Sequence, residues 1–548
     1  MTTTSTTGSS TNTGRLLRAN AIVAVGTLLS RITGLLRLVL LVDVLGTALV
    51  DAYTTANNVP NMIYELVLGG VLTATLVPMF TEQAEHNDRE ATDAVVTVAA
   101  VALLVLTAVA TLAAPLIVRL FTLKLPPGVD PHQLRSVMTY LAYFFLPQIF
   151  FYGLTAMASA LLNARGRFFA AAWAPLLNNV VVIVTLLVLP RMVGIGRGHE
   201  RDLALAAHDG RLRLLLGLST TAGIAATAIA LVPALWGAGV HVRLRFDRRH
   251  PAVRQVARLS GWTLGYVVAN QLALYVMTVL ARPGSTGVTA YQSAFVVFQL
   301  PVGLLAVSVM TTFAPDLARA RLRRDRVELL GRISLGLRAL ALVTLPAAAG
   351  LVALARPLVG LLLQHGSFKA ASATTTAHAL AAFAVGLFAL SAFLFVIRVF
   401  FAHNDTKSAF LVNCFENAVN IVVGVLLVGR FGVTGLAWSF TIAYGTAALV
   451  ALVVLRIKVP GLDPGVLLRP MARPALAALV AGEAAWLAAL RVGADHGPGA
   501  LTKVLVGTAV GSIVYIALLV FLQLPEVSAI KTRAASRRVR SVGRVDGA

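Results

Sequence analysis

Long apolar runs constrain this chain more than any other feature of its sequence. Fourteen of them recur between residues 20 and 523, each close to the roughly 20 residues that a helix needs to cross a bilayer. In lipid a segment must satisfy its own backbone hydrogen bonds, which favours helices. Of the 548 residues, 58% are hydrophobic and 13% are charged, a balance that excludes an ordinary soluble enzyme. The sequence therefore predicts an all-α polytopic membrane protein.

The predicted transmembrane helices are distributed along almost the whole chain. They lie near residues 20–46, 52–81, 93–121, 136–162, 169–189, 214–237, 258–281, 288–314, 334–363, 376–402, 408–429, 433–455, 474–491 and 501–523. Their number predicts two pseudo-symmetric six-helix lobes, at 15–240 and 241–456, and two C-terminal helices within 457–523. Residues 1–14 are rich in Ser and Thr and are predicted to be a disordered tail, and residues 524–548 a basic cytoplasmic tail.

An internal repeat supports the two lobes. Asn163 and Asn179 are sixteen positions apart, and Asn404 and Asn420 have the same spacing in a similar context. The segments LTATLVPMF and VMTTFAPDL also correspond, so helices 2, 4 and 5 recur as 8, 10 and 11. A parallel repeat of six helices is typical of transporters that work around a central site. Chance similarity between apolar segments is the alternative.

Basic residues predict the orientation of the chain. With a cytoplasmic N-terminus, most of the 46 Lys and Arg residues fall in inside segments, including the clusters at 243–258 and 319–332. This asymmetry follows the positive-inside rule, and both termini are then cytoplasmic. The formal charge of +23 favours contact with anionic membrane lipids. It does not indicate nucleic-acid binding, because the arginines flank apolar runs and form no patch with interleaved aromatics.

Two arginines interrupt the first apolar run. Arg31 and Arg37 lie in SRITGLLR, about 9 Å apart along a helix and about 120° apart around it. An ionisable residue deep in a span indicates a functional site, and guanidinium groups in a low-dielectric cavity favour an anion such as phosphate. The alternatives are ion pairs with nearby carboxylates, or snorkelling to the interface. The polar residues that we expect to tune this site are Ser30, Asp51, Asn57 and Asn61.

The second apolar run contains residues that loosen a helix. Pro60 removes a backbone donor, and Gly69 and Gly70 weaken the helix further along, so we expect a hinge here. Such a hinge is what alternating access requires. Static packing of helices at small residues is the alternative.

Other polar residues lie in the later runs. Arg398 near the end of helix ten and Glu416 in helix eleven are close enough in a hairpin to form a polar pair, with snorkelling of Arg398 as the alternative. Glu483 in helix thirteen has no evident partner in the sequence. Most of the amides are expected to join helices, and one or two to contact substrate. These amides are Asn178, Asn179, Asn270, Gln271, Asn413, Asn417 and Asn420.

Signatures of catalysis and of cofactor binding are absent from the sequence. It contains no Walker loop, HExxH or GxSxG motif, and no Asp-Asp or Asp-x-Asp pair for a divalent metal. Cys414 is the single cysteine, so a thiolate metal cage is excluded. We therefore expect that the chain is not an enzyme and binds no metal or cofactor. If it acts on a phosphate-bearing lipid, it moves the molecule without cleaving it.

The opening SRITGLLRLVLL…DAYTTANNVPNMIYELVLGG resembles the MurJ/MviN family of lipid II flippases, in the MOP exporter superfamily. The stretches LNARGRFFAAAWAPLLNN and AYQSAFVVFQLPVGLLAV are similar to it too. This resemblance implies export of undecaprenyl-pyrophosphate-linked peptidoglycan precursor across the bacterial cytoplasmic membrane by alternating access, with a lipid-facing groove at the last two helices. Family arginines that contact the headgroup carry over to Arg31 and Arg37, and a family acidic residue to Asp51. Two other family arginines are replaced, near Tyr64 and near Val296.

Other functions remain open at this point. Another MOP exporter, either a lipid-linked polysaccharide flippase or a drug/cation antiporter, is one alternative, although an antiporter is expected to have carboxylates in its cavity. A non-transporting scaffold that binds cell-wall synthesis proteins is another. The predicted partners are the lipid-linked precursor, anionic lipids and, for the scaffold, those proteins.

Overall fold

Helices make up nearly all of the ordered architecture, in agreement with the predicted fold class. The computed structural model of the chain describes residues 8–66, 76–86, 88–193, 203–259, 261–323, 325–366, 368–403 and 405–523, and these residues contain no strand. Within them, nine helices are long and apolar enough to cross a membrane, or ten if the bent pair Ala370–Val385 and Leu387–Ala402 forms one span. The count of fourteen spans stays a prediction.

The chain divides into two compact units. Unit 1 contains Met1–Val296, His365–Ser372 and Phe410–Leu436, and unit 2 contains Val297–Gln364, Ala373–Ala409 and Ala437–Ala548. Unit 1 thus extends past residue 240, where the sequence analysis ended the first lobe. The lobes at 15–240 and 241–456 stay a prediction.

Helices α1 to α13 lie wholly or mainly in unit 1. They are α1 (Gly8–Leu45), α2 (Thr47–Tyr64), α3 (Val77–Glu85), α4 (Arg89–Leu112), α5 (Ala114–Phe121), α6 (Pro131–Phe145), α7 (Gln148–Ala164), α8 (Phe168–Met192), α9 (Leu203–His208), α10 (Gly210–Gly237), α11 (Pro251–Leu259), α12 (Gly261–Leu280) and α13 (Gly287–Pro301). Helix α1 begins inside the stretch predicted to be a disordered tail, whose residues 1–7 lie outside the described part.

Prolines explain why some predicted spans consist of two helices. The run predicted at 136–162 is divided into α6 and α7 by Pro147, which is the N-cap residue of α7. The run at 93–121 is divided into α4 and α5, and Pro115 lies in the first turn of α5. Proline lacks a backbone N–H, so it fits the first turn of a helix better than its interior.

Unit 2 is formed by the remaining helices. They are α14 (Val307–Leu322), α15 (Arg326–Ala353), α16 (Ala355–Leu362), α17 (Ala370–Val385), α18 (Leu387–Ala402), α19 (Thr406–Lys458), α20 (Pro464–Leu468), α21 (Ala472–Leu490) and α22 (Gly497–Phe521), with 410–436 of α19 belonging to unit 1. Its core includes an aromatic cluster, in which the rings of Phe298 and Phe383 stack with centroids 5.6 Å apart and Phe440 packs edge-on against Phe383. Only 11% of the most apolar stretch of α22 is buried, as expected for a helix surrounded by lipid.

A glycine breaks the longest helix where the sequence predicts two spans. At 53 residues, α19 is roughly twice as long as a bilayer crossing requires. Gly432 has φ 54° and ψ −135°, outside the helical region, and it lies between the predicted spans 408–429 and 433–455. A residue with a Cβ rarely adopts such angles, which is why glycine occupies this break.

Candidate substrate site

Helix α1 carries both arginines of the predicted anion site. Arg31 and Arg37 are each half-buried, whereas Leu28, Ile32 and Leu36 form an exposed apolar stripe along the same helix. Measured as rotation about the helix axis from Ile32, Arg31 lies about 100° in one direction and Arg37 about 140° in the other. The two guanidinium groups therefore emerge away from the apolar stripe.

Helix α8 packs through an amide on the face of α1 that carries Arg37. The Asn179 side-chain NH2 donates to the backbone carbonyl of Ser30 and to the Thr33 hydroxyl, both at 3.0 Å. Asn179 is buried, so these bonds satisfy a polar group that would otherwise be stranded among apolar side chains. The prediction that Asn179 joins helices is confirmed, and Ser30 contributes its backbone to the contact.

Two phenol groups lie within electrostatic range of the Arg37 guanidinium, those of Tyr53 on α2 and Tyr152 on α7. The Tyr53 hydroxyl is 2.6 Å from the Thr220 hydroxyl, and the Tyr152 ring stacks on Tyr64 with centroids 5.5 Å apart. An aromatic stack therefore occupies the position at which the resemblance implied a replaced arginine.

Sequence reasoning missed Tyr53 and Tyr152. The signal that was available is a tyrosine in the interior of an apolar span, because a buried phenol needs a hydrogen-bond partner and is rarely placed there without one. Within the described residues Arg37 makes no ion pair. A half-buried guanidinium that no described carboxylate neutralises, within electrostatic range of two phenols, is suited to an anionic oxygen.

Asp51 caps another helix of unit 1. Its side chain is fully buried, and Oδ1 accepts a hydrogen bond of 2.7 Å from the backbone N–H of Thr289 and a second, short one from the Thr289 hydroxyl. Thr289 is the third residue of α13, where backbone N–H groups lack partners within the helix and a negative charge is favourable. Among the described residues, Oδ2 has no hydrogen-bond partner.

C-terminal to Asp51, one face of α2 is polar. Asn57 is half-buried, Asn61 is exposed and Glu65 is half-buried, and these residues lie four positions apart along one face. Such a face is too costly to leave in hydrocarbon and indicates a wet or protein-lined environment.

The predicted hinge is only partly visible. Helix α2 continues through Pro60, which is buried, and residues 65 and 66 adopt π-helical geometry. Gly69 and Gly70 lie outside the described residues. The hinge stays a prediction.

The second predicted polar pair falls in two different units. Arg398 is half-buried on α18 in unit 2, and Glu416 is buried on α19 in unit 1, where its Oε1 has no hydrogen-bond partner among the described residues. Their pairing stays a prediction. The nearby amide of Asn417 donates to the Asn270 side-chain oxygen at 2.8 Å, so these two residues join α19 to α12 as expected.

Comparison with protein families identifies a close sequence likeness. A family model described as lipid II flippase MurJ matches residues 41–507, a range that includes Asp51 and begins just after Arg31 and Arg37. The lipid II flippase MurJ of Burkholderia cenocepacia is 31% identical over 422 residues, covering 75% of this chain and 77% of that protein. The probable lipid II flippase MurJ of Rhizobium meliloti is 28% identical over 453 residues, covering 80% of each.

Solved structures share the fold. A structure described as lipid II flippase MurJ in an inward closed conformation has a TM-score of 0.74 and 20% sequence identity, and covers 92% of this chain and 99% of its own. A multidrug resistance MATE family transporter of the MOP superfamily, in an inward-facing conformation, has a TM-score of 0.65 and 15% identity over 79% of this chain. At these identities the likeness concerns the fold alone.

Proposed function

The chain belongs to the MurJ family of lipid II flippases, and from that premise we propose that it exports lipid II by alternating access, with Arg31 and Arg37 engaging the pyrophosphate. It is a multi-pass protein of the bacterial cytoplasmic membrane, and it moves the undecaprenyl-pyrophosphate-linked peptidoglycan precursor across that membrane. The positive-inside pattern supports cytoplasmic termini.

The observation that carries the pyrophosphate assignment is the environment of Arg37. The guanidinium is half-buried in a membrane helix, lies within electrostatic range of two phenols and makes no ion pair with any described residue. A diphosphate brings the negative oxygens that this group needs, and the planar fork of arginine binds them in pairs.

Asp51 has a positioning role in this proposal. Its carboxylate is occupied by Thr289 of α13, so it sets the position of α2 and of the polar residues Asn57 and Asn61 without touching the substrate. These amides and the phenols of Tyr53 and Tyr152 supply the hydrogen bonds that compensate for the family arginine replaced at Tyr64.

The polyprenyl tail follows the helices at the C-terminus. A crevice of about 410 Å³ runs between α15, α16, α21 and α22, with a mainly apolar lining that includes Gly350, Gly507 and Gly511. The Tyr515 hydroxyl donates to the Leu342 carbonyl at 2.9 Å and fixes α22 against α15. Gly350, which has nothing within 4 Å of an added methyl group, leaves room for an acyl or polyprenyl chain close to the helix backbone, whereas Gly507 and Gly511 let α22 pack closely on its neighbours.

Two assays test the proposal. We expect Arg37→Ala and Arg31→Ala to lower lipid II translocation in reconstituted vesicles at least tenfold and to fail to support growth of a flippase-depleted cell. Arg191→Ala removes an exposed arginine in the last turn of α8 and serves as the matched control. Translocation at the wild-type rate by Arg37→Ala would refute the pyrophosphate role, and a wild-type chain that does not move lipid II would refute the function itself.

A further inference from the structure

Glu483 is a carboxylate in the middle of a membrane helix that the flipping reaction does not use. It lies eleven residues after the start of α21 at Ala472 and seven before its end at Leu490, so about 16 Å and about 10 Å from the two ends. Its side chain is exposed, and among the described residues it makes neither an ion pair nor a hydrogen bond.

This carboxylate lines an apolar groove of unit 2. The groove has a volume of about 580 Å³ and lies between α15 and α21. Small residues line it, among them Ala348, Ala349 and Ala475. Gly482 lies at its base, where a methyl group would come within 2.9 Å of the Ala349 Cβ, so this glycine permits the close packing of α21 on α15. Leu479 and Trp486, 68% and 47% exposed, also line it and lie within four residues of Glu483 on the same helix.

Acyl chains are a poor occupant for such a groove. A hydrocarbon chain offers no hydrogen-bond donor, and the short side chain of glutamate cannot reach the headgroup region from mid-bilayer. The occupant must therefore carry a donor at the depth of Glu483. Grooves lined by Ala and Gly allow the backbone of another helix to approach closely, which is the usual way that helices associate in membranes.

From this combination we infer that the groove between α15 and α21 docks a transmembrane helix of a partner protein, which presents a basic side chain opposite Glu483. The basic side chain of the partner neutralises the carboxylate of Glu483, and Glu483 neutralises the basic side chain. Each charge is costlier alone in the membrane, so the two helices are favoured to associate over separate insertion. Trp486 offers an additional face for a cation. The groove is separate from the pyrophosphate site on unit 1, and it shares Gly482 with the crevice proposed for the polyprenyl tail.

Designed transmembrane peptides test this inference with the full-length chain in phospholipid vesicles. The probes are a Leu/Ala peptide with one central lysine and the same peptide with leucine in its place. A photo-crosslinking phenylalanine derivative at Leu479 reports occupancy of the groove. The same derivative at Ile513, an exposed residue of α22, reports contacts elsewhere on the lipid-facing surface.

We expect the lysine peptide to crosslink at position 479 roughly tenfold more than the leucine peptide, and no such difference at position 513. Glu483→Leu should abolish the difference, and Glu483→Gln, which keeps an acceptor but not the charge, should reduce it. Glu483 makes no hydrogen bond with any described side chain, so both variants are expected to fold. Circular dichroism and size-exclusion chromatography check this.

Three outcomes would overturn the inference. Equal crosslinking of both peptides would mean that the groove accepts any apolar helix. Crosslinking to lipid alone in the presence of either peptide would assign the groove to acyl chains. Crosslinking between two copies of the chain that the lysine peptide does not displace would assign it to self-association. Failure of lipid II translocation leaves this test unaffected, because it does not depend on transport.

Discussion

The bond between Asp51 and Thr289 links residues 238 positions apart, and it can be measured by a double-mutant cycle. Thr289→Val keeps the shape of the side chain and removes the hydroxyl that donates to Asp51 Oδ1, while the backbone N–H of residue 289 remains. Asp51→Ala removes the acceptor of both bonds. The coupling energy between the two substitutions then isolates the hydroxyl–carboxylate bond.

The magnitude follows from the burial and charge of the acceptor. Hydrogen bonds between membrane helices average about 0.6 kcal/mol and reach about 1.7 kcal/mol. A charged acceptor roughly doubles the strength of a bond, and Asp51 is fully buried. We therefore expect Thr289→Val to lower the free energy of unfolding by about 1–3 kcal/mol, with a coupling energy to Asp51→Ala of at least about 1 kcal/mol.

Unfolding by SDS in mixed micelles, followed by the helical signal, measures these differences. Thr278→Val is the matched control: Thr278 is also buried, but its hydroxyl bonds the Leu274 carbonyl of its own helix at 2.8 Å, so its coupling to Asp51→Ala should be zero. Additive losses for Asp51→Ala and Thr289→Val, within about 0.5 kcal/mol, would refute the bond between the Thr289 hydroxyl and the Asp51 carboxylate.

Three further predictions concern other parts of the fold. Asn179→Ala should lower the free energy of unfolding by about 1–2 kcal/mol in the same titration, because two bonds between α8 and α1 are lost; a change below about 0.3 kcal/mol would contradict it. Gly432→Ala should destabilise by about 1–3 kcal/mol through backbone strain alone, since nothing lies within 4 Å of the added methyl group, whereas Gly429→Ala, equally open but not at positive φ, should not. Burial opposes ionisation of Asp405, but its hydrogen bond from Lys458 holds the pKa of this carboxyl below its ordinary value of 3.8. Its contribution to stability is therefore present above about pH 4 and is lost as the pH falls through the lowered pKa, so the loss caused by Asp405→Asn should shrink in acid; a loss independent of pH would count against this ion pair.

The sequence determined the secondary structure and the membrane class of this protein. A run of about 20 apolar residues must form its hydrogen bonds within itself, so each run predicts a helix without reference to the rest of the fold. The two spans predicted at 408–429 and 433–455 follow from the same rule, and the break that the structure places at Gly432 lies between them. Helical periodicity also predicted that Arg31 and Arg37 lie on different sides of α1.

Tertiary structure alone decided which of these helices meet, and therefore what each polar residue does. Asp51 was expected to tune or position an anion site, which stays a prediction, and only the fold shows that its carboxylate caps α13, 238 positions away. Tyr152 stacks on Tyr64, 88 positions away, and lies within electrostatic range of Arg37, 115 positions away. The periodicity of one helix shows which side of it is polar but not which helix faces that side. That choice depends on side-chain shape and on hydrogen bonds between distant segments, which in an apolar environment discriminate strongly among helices of otherwise similar composition.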